Sequence, residues 1–235
     1  MRNASLPPSG GTHGVMPMTL TGALVYSSNV GISMFGSRLT EQTRYEYLRA
    51  FGIGESTQAG LPLEDSGLLY SPENWDRQTS YNTMFGQGVS ATIVQTASAY
   101  QAIANDGVRV PPSVVATCTK ADGTVTDMVH GDPVQAVSPE TAATTLHMLE
   151  AVVQESWITP LVSIPGYRIG GKTGTAEQTD GQGGYRSDFV HSFVGVFPVE
   201  DPQFVIAASI AFPKAGEGSV AALSSFHDAA EATIR

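Results

Sequence analysis

The last third of the chain constrains the fold most, because two apolar segments of strand length follow each other there and a helical pattern closes the chain. The segments are His191–Phe197 and Phe204–Phe212, and the turn-like residues Pro-Val-Glu-Asp-Pro join them. Apolar runs of this length between turn signals are typical of buried strands, and the short connection makes the pair a hairpin. Over residues 220–235, apolar residues recur at helical spacing. We therefore predict an antiparallel pair of strands flanked by a helix.

Two helical patterns stand out before these strands. The first covers Val89–Asn105, with Ser90 as its candidate N-cap and Gly107 where the helix should stop. The second begins at Ser138-Pro139, a cap followed by proline in the first turn, and continues to Val153. Both have apolar residues three and four positions apart, so each is expected to pack one face on a core.

The other segments complete an α+β pattern. Residues 36–50 mix helix formers of both charge signs and predict a solvated helix, while 1–15 and 51–75 are rich in Gly and Pro and predict irregular structure. A short hairpin is predicted around Asp122-Gly123, and a strand edge over Arg168–Ala176. Helices that come first and strands that come later indicate the α+β class, and with no long interior linker we expect a single domain over residues 1–235.

Composition narrows the possible partners. The chain has 235 residues, of which 41% are hydrophobic, so it is long enough for one domain with a core. Its net charge of -10 repels phosphate backbones, so no nucleic-acid partner is expected. Cys118 is the one cysteine, which excludes an internal disulfide and a multi-cysteine metal site, and the five histidines lack metal-ligand spacing. We therefore expect no metal and no cofactor.

Membrane and export signals are not evident in these residues. The longest uniformly apolar stretch, Phe204–Phe212, has the length of a strand rather than of a membrane span. Residues 1–14 lack the basic start and apolar core of a signal peptide. If the intact protein is exported or anchored, we expect the signal for that to lie outside this chain.

A lysine motif has two interpretations. Gly166–Thr173 matches the G-x-x-x-x-G-K-[ST] pattern of a phosphate-binding loop. That loop requires a buried strand before it and a helix after it, but the upstream flank holds Pro160 and Pro165 and the downstream flank is polar and Gly-rich. A nucleotide-binding function is therefore the weaker alternative. The stronger one takes Lys172-Thr173-Gly174 as a K-T-G motif on a strand at the edge of a cleft.

A second motif decides between the two interpretations. Ser27-Ser28-Asn29 has the S-x-N pattern that accompanies K-T-G in penicillin-recognising enzymes, although alone it is typical of a helix cap or a polar turn. The Phe-Gly-Gln-Gly sequence at 85–88 and the hairpin beginning at His191 follow in the same chain order. From about Gly14 to the C-terminus, the chain resembles the transpeptidase domain of the monofunctional (class B) penicillin-binding proteins of division and elongation.

The resemblance implies an activity, partners and a location. The family has a serine β-lactamase-like fold and cross-links peptidoglycan stem peptides through a serine acyl-enzyme that β-lactams trap. By resemblance, the partners are stem peptides or their lipid-linked precursor, β-lactams, a membrane glycosyltransferase and divisome proteins. The intact protein is then expected on the extracytoplasmic face of a bacterial membrane, held by an N-terminal anchor that this chain does not contain.

Residue roles also follow from the resemblance. Ser27 is expected to relay a proton, Asn29 to hold the substrate amide, and Lys172 to supply a positive field. Gly174 allows a substrate backbone to approach closely. The hydroxyls of Thr173 and Thr175 are expected to bind the substrate carboxylate, and the amide of Thr175 to form half of an oxyanion hole. His191, His227 and Glu177 are expected to pack, to cap or to lie on the surface rather than to act as bases.

The nucleophilic serine of the family's S-x-x-K motif is absent from this sequence. None of the three lysines has a serine three positions before it; those positions hold Thr117, Ile169 and Ala211. We expect the chain to begin inside the domain, to be inactive and marginally stable alone, and to lack part of the central sheet. A non-catalytic sensor or scaffold module remains an alternative, and a serine β-lactamase or carboxypeptidase is a rival within the class.

Overall fold

The computed structural model describes residues 17–127, 131–179, 185–213 and 218–235. The loop predicted for residues 1–15 lies outside these ranges. Helices and antiparallel strands are both present, so the predicted α+β class is confirmed. Within the ranges described, none of the helices has the length and apolar character needed to span a membrane.

The first half of the chain is helical. Ser27 lies between the first two short helices, and Asn29 is the first residue of the second. A long segment without a helix follows the third helix. The elements are α1 (Leu20–Val25), α2 (Asn29–Gly36), α3 (Glu41–Ala50), a single 3-10 turn (Pro72–Asn74), α4 (Arg77–Asn82) and α5 (Ile93–Ala104). The solvated helix predicted for residues 36–50 is therefore confirmed as α3, although it begins later.

The second half is built on a three-stranded antiparallel sheet. The small pairs β1–β4 and β2–β3 precede it, and the predicted hairpin at Asp122-Gly123 is confirmed as β2–β3. The elements are β1 (Val108–Arg109), β2 (Thr117–Thr119), β3 (Val125–Asp127), β4 (Val134–Gln135), α6 (Pro139–Glu155), α7 (Thr159–Val162), β5 (Gly170–Thr179), β6 (Tyr185–Phe197), β7 (Phe204–Ala211) and α8 (Gly218–Thr233). The large sheet has the order β5-β6-β7, so β5 forms one edge of it in the part of the chain described here.

Strand β6 is longer than the sequence predicted. It starts at Tyr185 rather than at His191, and the β5–β6 pairing extends to the Thr179–Tyr185 pair. The first residues of β6 are polar and follow a Gly-rich run, so they carry no apolar alternation. Pairing with a neighbouring strand, rather than local preference, makes these residues extended.

An aromatic cluster forms the core between the sheet and α8. Phe193, Phe197 and Phe226 are fully buried, with ring centroids 4.7 Å apart for Phe193–Phe226 and 6.1 Å apart for Phe197–Phe226. Edge-to-face pairs of this kind add to the free energy gained from burial. A side chain at Gly195 would overlap the Phe226 ring, so glycine is required there for α8 to lie against β6. This packing holds the sheet in a fixed position relative to α8.

A single buried glutamine organises the irregular segment between α3 and α5. The Nε2 atom of Gln95 lies 2.8 Å from the carbonyl oxygens of both Glu55 and Ser66 and 3.2 Å from that of Gly52. Its Oε1 accepts a hydrogen bond from the backbone N–H of Thr92 at 2.7 Å. These bonds satisfy backbone carbonyls that regular secondary structure would otherwise satisfy. Gln95 thus ties the loop to the first turn of α5.

The predicted N-cap of α5 is wrong, whereas the predicted start of α6 is confirmed. The N-cap of α5 is Thr92, which forms a capping box with Gln95, and not Ser90 as predicted. Ser90 is instead bridged to Leu68 by two backbone hydrogen bonds of 2.8 and 2.9 Å, which keep it outside the helix. The predicted start of α6 is confirmed, because Ser138 caps that helix and Pro139 is its first residue.

Candidate active site

Ser27 lies at a tight turn between two helices. It follows α1 and has φ = 51°, in the left-handed region that non-glycine residues seldom adopt. Its neighbour Ser28 is fully buried and caps α2 by accepting a hydrogen bond from the N–H of Gly31 at 3.0 Å. The backbone N–H groups of both serines donate to carbonyls of α1. The cap and these bonds hold a conformation that costs on the order of 1–3 kcal/mol, and the Ser27 side chain remains exposed.

Lys172 reaches Ser27 from the edge strand. Its Nζ donates to the Ser27 Oγ at 2.7 Å, across a separation of 145 residues. It also lies 3.1 Å from the carbonyl oxygen and 3.2 Å from the Oγ1 of Thr173. The structure therefore brings the first residue of S-x-N and the first residue of K-T-G into direct contact.

Burial changes the acidity of this lysine. Desolvation lowers the pKa of Lys172 from 10.5 to about 8. At neutral pH the ammonium form still predominates, with about one molecule in ten neutral at pH 7. Lys172 therefore carries a positive charge in most molecules at neutral pH.

The end of the K-T-G segment packs closely on the neighbouring strand β6. An added Cβ at Gly174 would lie 2.5 Å from the Ser192 Oγ, so a side chain cannot be placed there without displacing Ser192. Thr175 is exposed and pairs in register with His191 of β6. Because β5 is an edge strand in the part of the chain described, the backbone of this segment has one side without a strand partner, and Thr173 and Thr175 flank Gly174 along it.

His191 lies beside this segment. Its Nδ1 is 2.9 Å from the Ser219 Oγ in the first turn of α8 and 3.5 Å from the Thr175 Oγ1. Gly218 allows the ring to sit there, because a Cβ at that residue would overlap it. The histidine packs and hydrogen-bonds as predicted, but its position next to Thr175 became visible only with the β5–β6 register.

Asn29 occupies the first position of α2, with an exposed side chain. Among the residues described here, no hydrogen bond joins Asn29 to Lys172. It lies two residues after Ser27 in the chain. Its predicted role in holding a substrate amide remains a proposal.

An ion pair supports the start of β5, and sequence reasoning missed it. Arg168 donates to both carboxylate oxygens of Glu150 on α6, at 2.7 and 2.6 Å. Glu150 is buried, and the hydrogen bond from Arg168 is the largest cause of its lowered pKa. Gly170 allows β5 to lie directly on α6, since an added Cβ would be 3.3 Å from the Leu146 carbonyl oxygen. An arginine shortly before a strand and a glutamate within an apolar helix face were the available signals.

The phosphate-loop interpretation is wrong. Gly166–Thr173 covers a turn bridged between Ile164 and Tyr167 and then the first residues of β5, so a strand follows the glycines where a nucleotide site requires a helix. No group of three or more potential metal ligands occurs in the part of the chain that the structure describes.

The structure places K-T-G on an edge strand and S-x-N on a helical turn in contact with it, two motifs that occur together in penicillin-recognising enzymes. The model of the penicillin binding protein transpeptidase domain matches residues 8–229. This chain belongs to that family.

Relatives agree with the assignment. The chain is 42% identical over 216 residues to penicillin-binding protein PbpB of Mycolicibacterium smegmatis, an alignment that covers 88% of this chain and 33% of the relative. It is 33% identical over 201 residues to peptidoglycan D,D-transpeptidase FtsI of Escherichia coli, covering 85% and 32%. The crystal structure of penicillin-binding protein 3 from Mycobacterium tuberculosis in complex with aztreonam superposes with a TM-score of 0.88 at 37% identity. That superposition covers 100% of this chain and 56% of the other.

The chain therefore spans about a third of the length of these curated relatives. The match with the solved structure includes the sheet that carries K-T-G, so the predicted transpeptidase fold is confirmed.

Proposed function

We propose that this chain forms the substrate-binding wall of a peptidoglycan D,D-transpeptidase that cross-links stem peptides and is a target of β-lactams. One observation carries the proposal: the Lys172 Nζ donates to the Ser27 Oγ at 2.7 Å beside the open edge of β5. The relatives named D,D-transpeptidases and the related structures bound to aztreonam and ampicillin support it.

The edge strand gives the peptide its place. A substrate in extended conformation would add to β5 as an antiparallel strand, because the backbone groups on that edge have no strand partner among the described residues. The Thr173 and Thr175 hydroxyls and the Lys172 charge would then bind the terminal carboxylate.

The acyl transfer itself needs a serine that this sequence does not provide in an S-x-x-K motif. In the family's reaction, that serine oxygen bonds to the carbonyl carbon of the penultimate D-alanine, and the C–N bond to the terminal D-alanine breaks. The serine proton passes to the leaving amine. An acceptor amine then bonds to the same carbon, the ester bond breaks, and the serine recovers a proton. Splitting the reaction in this way replaces one high barrier by two lower ones.

The residues of this chain would move and hold protons in that reaction. Ser27 would pass a proton between the nucleophile and the leaving amine, with Lys172 as its immediate partner at 2.7 Å. Because the pKa of Lys172 is lowered to about 8, a small change in its surroundings is enough to release or retain the proton. Asn29 would orient the substrate amide, and the Thr175 N–H would form half of an oxyanion hole.

The biological setting is part of the same proposal. Relatives named FtsI and stage V sporulation protein D support a role in cell-wall synthesis during division or spore formation. A membrane glycosyltransferase and divisome proteins would be partners of the whole protein. An N-terminal anchor would hold it on the extracytoplasmic face of the membrane.

Non-catalytic recognition is a second candidate function. Its basis is the contact between the two motifs, since a wall with Ser27, Lys172 and Thr175 could bind a stem peptide without acylating anything. Such a module would sense or hold peptidoglycan. It differs from the enzyme in one measurable property, the formation of a covalent penicillin adduct.

Labelling with a fluorescent penicillin separates the two. We expect the 235-residue chain to acquire no stable label, and a longer polypeptide in which a segment bearing S-x-x-K precedes these residues to be labelled. In that longer polypeptide, Lys172→Ala should slow labelling by at least about a hundredfold, the scale for losing one preorganised electrostatic contact.

Lys120→Ala is the matched control, because Lys120 lies in the β2–β3 hairpin, away from the site. It should be labelled at the unchanged rate. Stable labelling of the 235-residue chain would contradict the missing nucleophile. Reversible binding of the penicillin by both polypeptides, without a covalent adduct, would support the sensor instead.

A further inference from the structure

A buried arginine in α3 lacks the partners that a buried charge requires. Arg44 is only 8% exposed, and its Nη2 donates to the Ser80 Oγ at 3.0 Å. Its Nε and Nη1 atoms are buried and have no hydrogen-bond partner among the described residues. None of the carboxylates described in the structure forms a salt bridge with it. Arg44 therefore makes one of the several hydrogen bonds that a guanidinium can donate.

The surroundings of Arg44 only partly compensate its charge. Desolvation lowers the pKa of Arg44, and the nearby Glu41 carboxylate opposes that shift. The Trp75 ring lies 5.8 Å from the guanidinium carbon and offers a cation–π contact. A buried charge with so few hydrogen bonds is destabilising unless an anion lies nearby. Because the Nε and Nη1 atoms are buried, Arg44 would attract an anion in the adjacent space through its charge rather than through those two donors.

A cleft of about 470 Å³ lies at that position, between the end of α2, the start of α3, and α4. Arg44 and Ser80 both line it, together with Arg77, Tyr81, Ser37 and Glu41. The Ser80 hydroxyl accepts from Arg44, so its own hydrogen remains available to a ligand. Arg77 and Tyr81 are exposed at the mouth. Cationic and hydroxyl side chains thus make up much of the lining of the cleft.

We propose that this cleft binds a carboxylate group, at a site separate from the one formed by Ser27 and Lys172. Helix α2 runs between the two, from Asn29 beside the Ser27 turn to Gly36 beside the cleft. Its eight residues span about 12 Å at the rise of an α-helix.

Charge selects a carboxylate over a phosphate. Two arginines and one glutamate line the cleft, which leaves one net positive charge for the ligand. A carboxylate carries one negative charge, whereas phosphate at neutral pH carries up to two and would be repelled by Glu41. Guanidinium groups also match the planar carboxylate in geometry. The carboxylate could belong to a small free acid or to a peptide, and the chemistry of recognition is the same.

Acetate tests the proposal on the full chain. The side-chain N–H signals of the arginines can be followed by NMR while acetate is added at constant ionic strength. We expect the Arg44 Nε–H signal to shift and the shift to saturate at millimolar acetate. Arg77→Gln should raise the acetate Kd at least threefold. Arg38→Gln is the matched control, because Arg38 is also exposed near the end of α2 but stacks on Phe35 outside the cleft, and it should leave Kd unchanged.

Thermal unfolding gives a second readout that a purely structural arginine would not affect. Acetate should raise the Tm of the wild-type chain relative to chloride, and Arg44→Met should abolish that difference whatever it does to the Tm itself. An Arg44→Met chain that keeps the acetate effect would overturn the proposal. So would an Arg44 signal that chloride shifts equally, or one that phosphate shifts at lower concentration than acetate.

A peptide identifies the source of the carboxylate. A short peptide with a free C-terminal carboxylate should compete with acetate if peptides are the ligands, and its C-terminal amide should not. If the free-acid peptide fails to compete while acetate binds, the ligand is a small free acid. Binding of the amide form would contradict recognition of a carboxylate.

Discussion

The two sides of the candidate site are stabilised in opposite ways. On the sheet side, the aromatic rings of Phe193, Phe197 and Phe226 are buried against one another. On the helical side, several of the buried side chains are polar, including Gln95 and Arg44. Apolar packing depends on total volume and shape, whereas each buried polar group depends on a few specific partners.

This difference explains how each half of the site is positioned. Lys172 lies in a regular strand whose neighbours belong to the aromatic core, so its backbone position follows from the packing of the sheet. Ser27 lies in a left-handed turn that a cap and two backbone hydrogen bonds maintain. The contact of 2.7 Å between them thus joins an element positioned by apolar packing to one positioned by specific hydrogen bonds.

The largest effect should come from the aromatic core. Phe226→Ala should lower the free energy of unfolding by about 3–5 kcal/mol, because it removes a ring packed on both Phe193 and Phe197. Urea unfolding followed by circular dichroism measures it. Val220→Ala on the exposed side of α8 is the control and should change stability by less than about 0.5 kcal/mol. A loss at Phe226 as small as that of the control would mean that the rings do not form the core.

A smaller loss of stability is expected when the buried Gln95 on the helical side is replaced. Gln95→Met keeps the volume but leaves the carbonyls of Gly52, Glu55 and Ser66 without their donor, and should cost about 1–3 kcal/mol. Hydrogen exchange should also speed up in residues 51–67 while the β5–β7 amides stay protected. Gln42→Met, on the exposed face of α3, serves as the comparison. Equal loss of protection in the sheet would show that the two sides unfold as one unit.

The smallest effect concerns the protonation of Lys172, the donor in the hydrogen bond to Ser27. The chain has three lysines, so lysine labelled with 13C at Cε gives few signals, and the Lys172 signal should titrate near pH 8. Ser27→Ala removes the hydrogen-bond acceptor for the ammonium form and should lower that pKa further. A Lys172 midpoint near 10.5 in the wild type would contradict its burial.

The sign of the accompanying stability change follows from the same pKa. The folded chain disfavours the protonated form of Lys172, so below pH 8 the protonated lysine lowers stability, and this cost is relieved as the pH rises from 8 towards 10.5. Lys172→Met should therefore flatten the rise in stability over that range. The effect is expected to be modest because the side chain is partly exposed to solvent.

Much of the fold could be predicted from local patterns. The cap and proline at Ser138-Pro139 marked α6, the Asp122-Gly123 turn marked a hairpin, and the apolar run at Phe204–Phe212 marked β7. Each of these signals depends on residues that are neighbours along the chain. The cap of α5 was misplaced because Ser90 and Thr92 have similar preferences, and only the bridge to Leu68 separates them.

The chemical identity of the site was also present in the sequence, as S-x-N and K-T-G in order. The contact between the two motifs could not be predicted from the sequence. Ser27 and Lys172 are 145 residues apart in the chain, and the distance between them in the structure depends on how α1 and β5 pack. The burial of Arg44 and the three carbonyl contacts of Gln95 are of the same kind. Local sequence thus determined most of the element types, since capping, turn and periodicity preferences act over a few residues, and its two motifs named the candidate site residues. Only the tertiary structure decided which side chains touch and which charges are buried, because those depend on the packing of segments far apart in the chain.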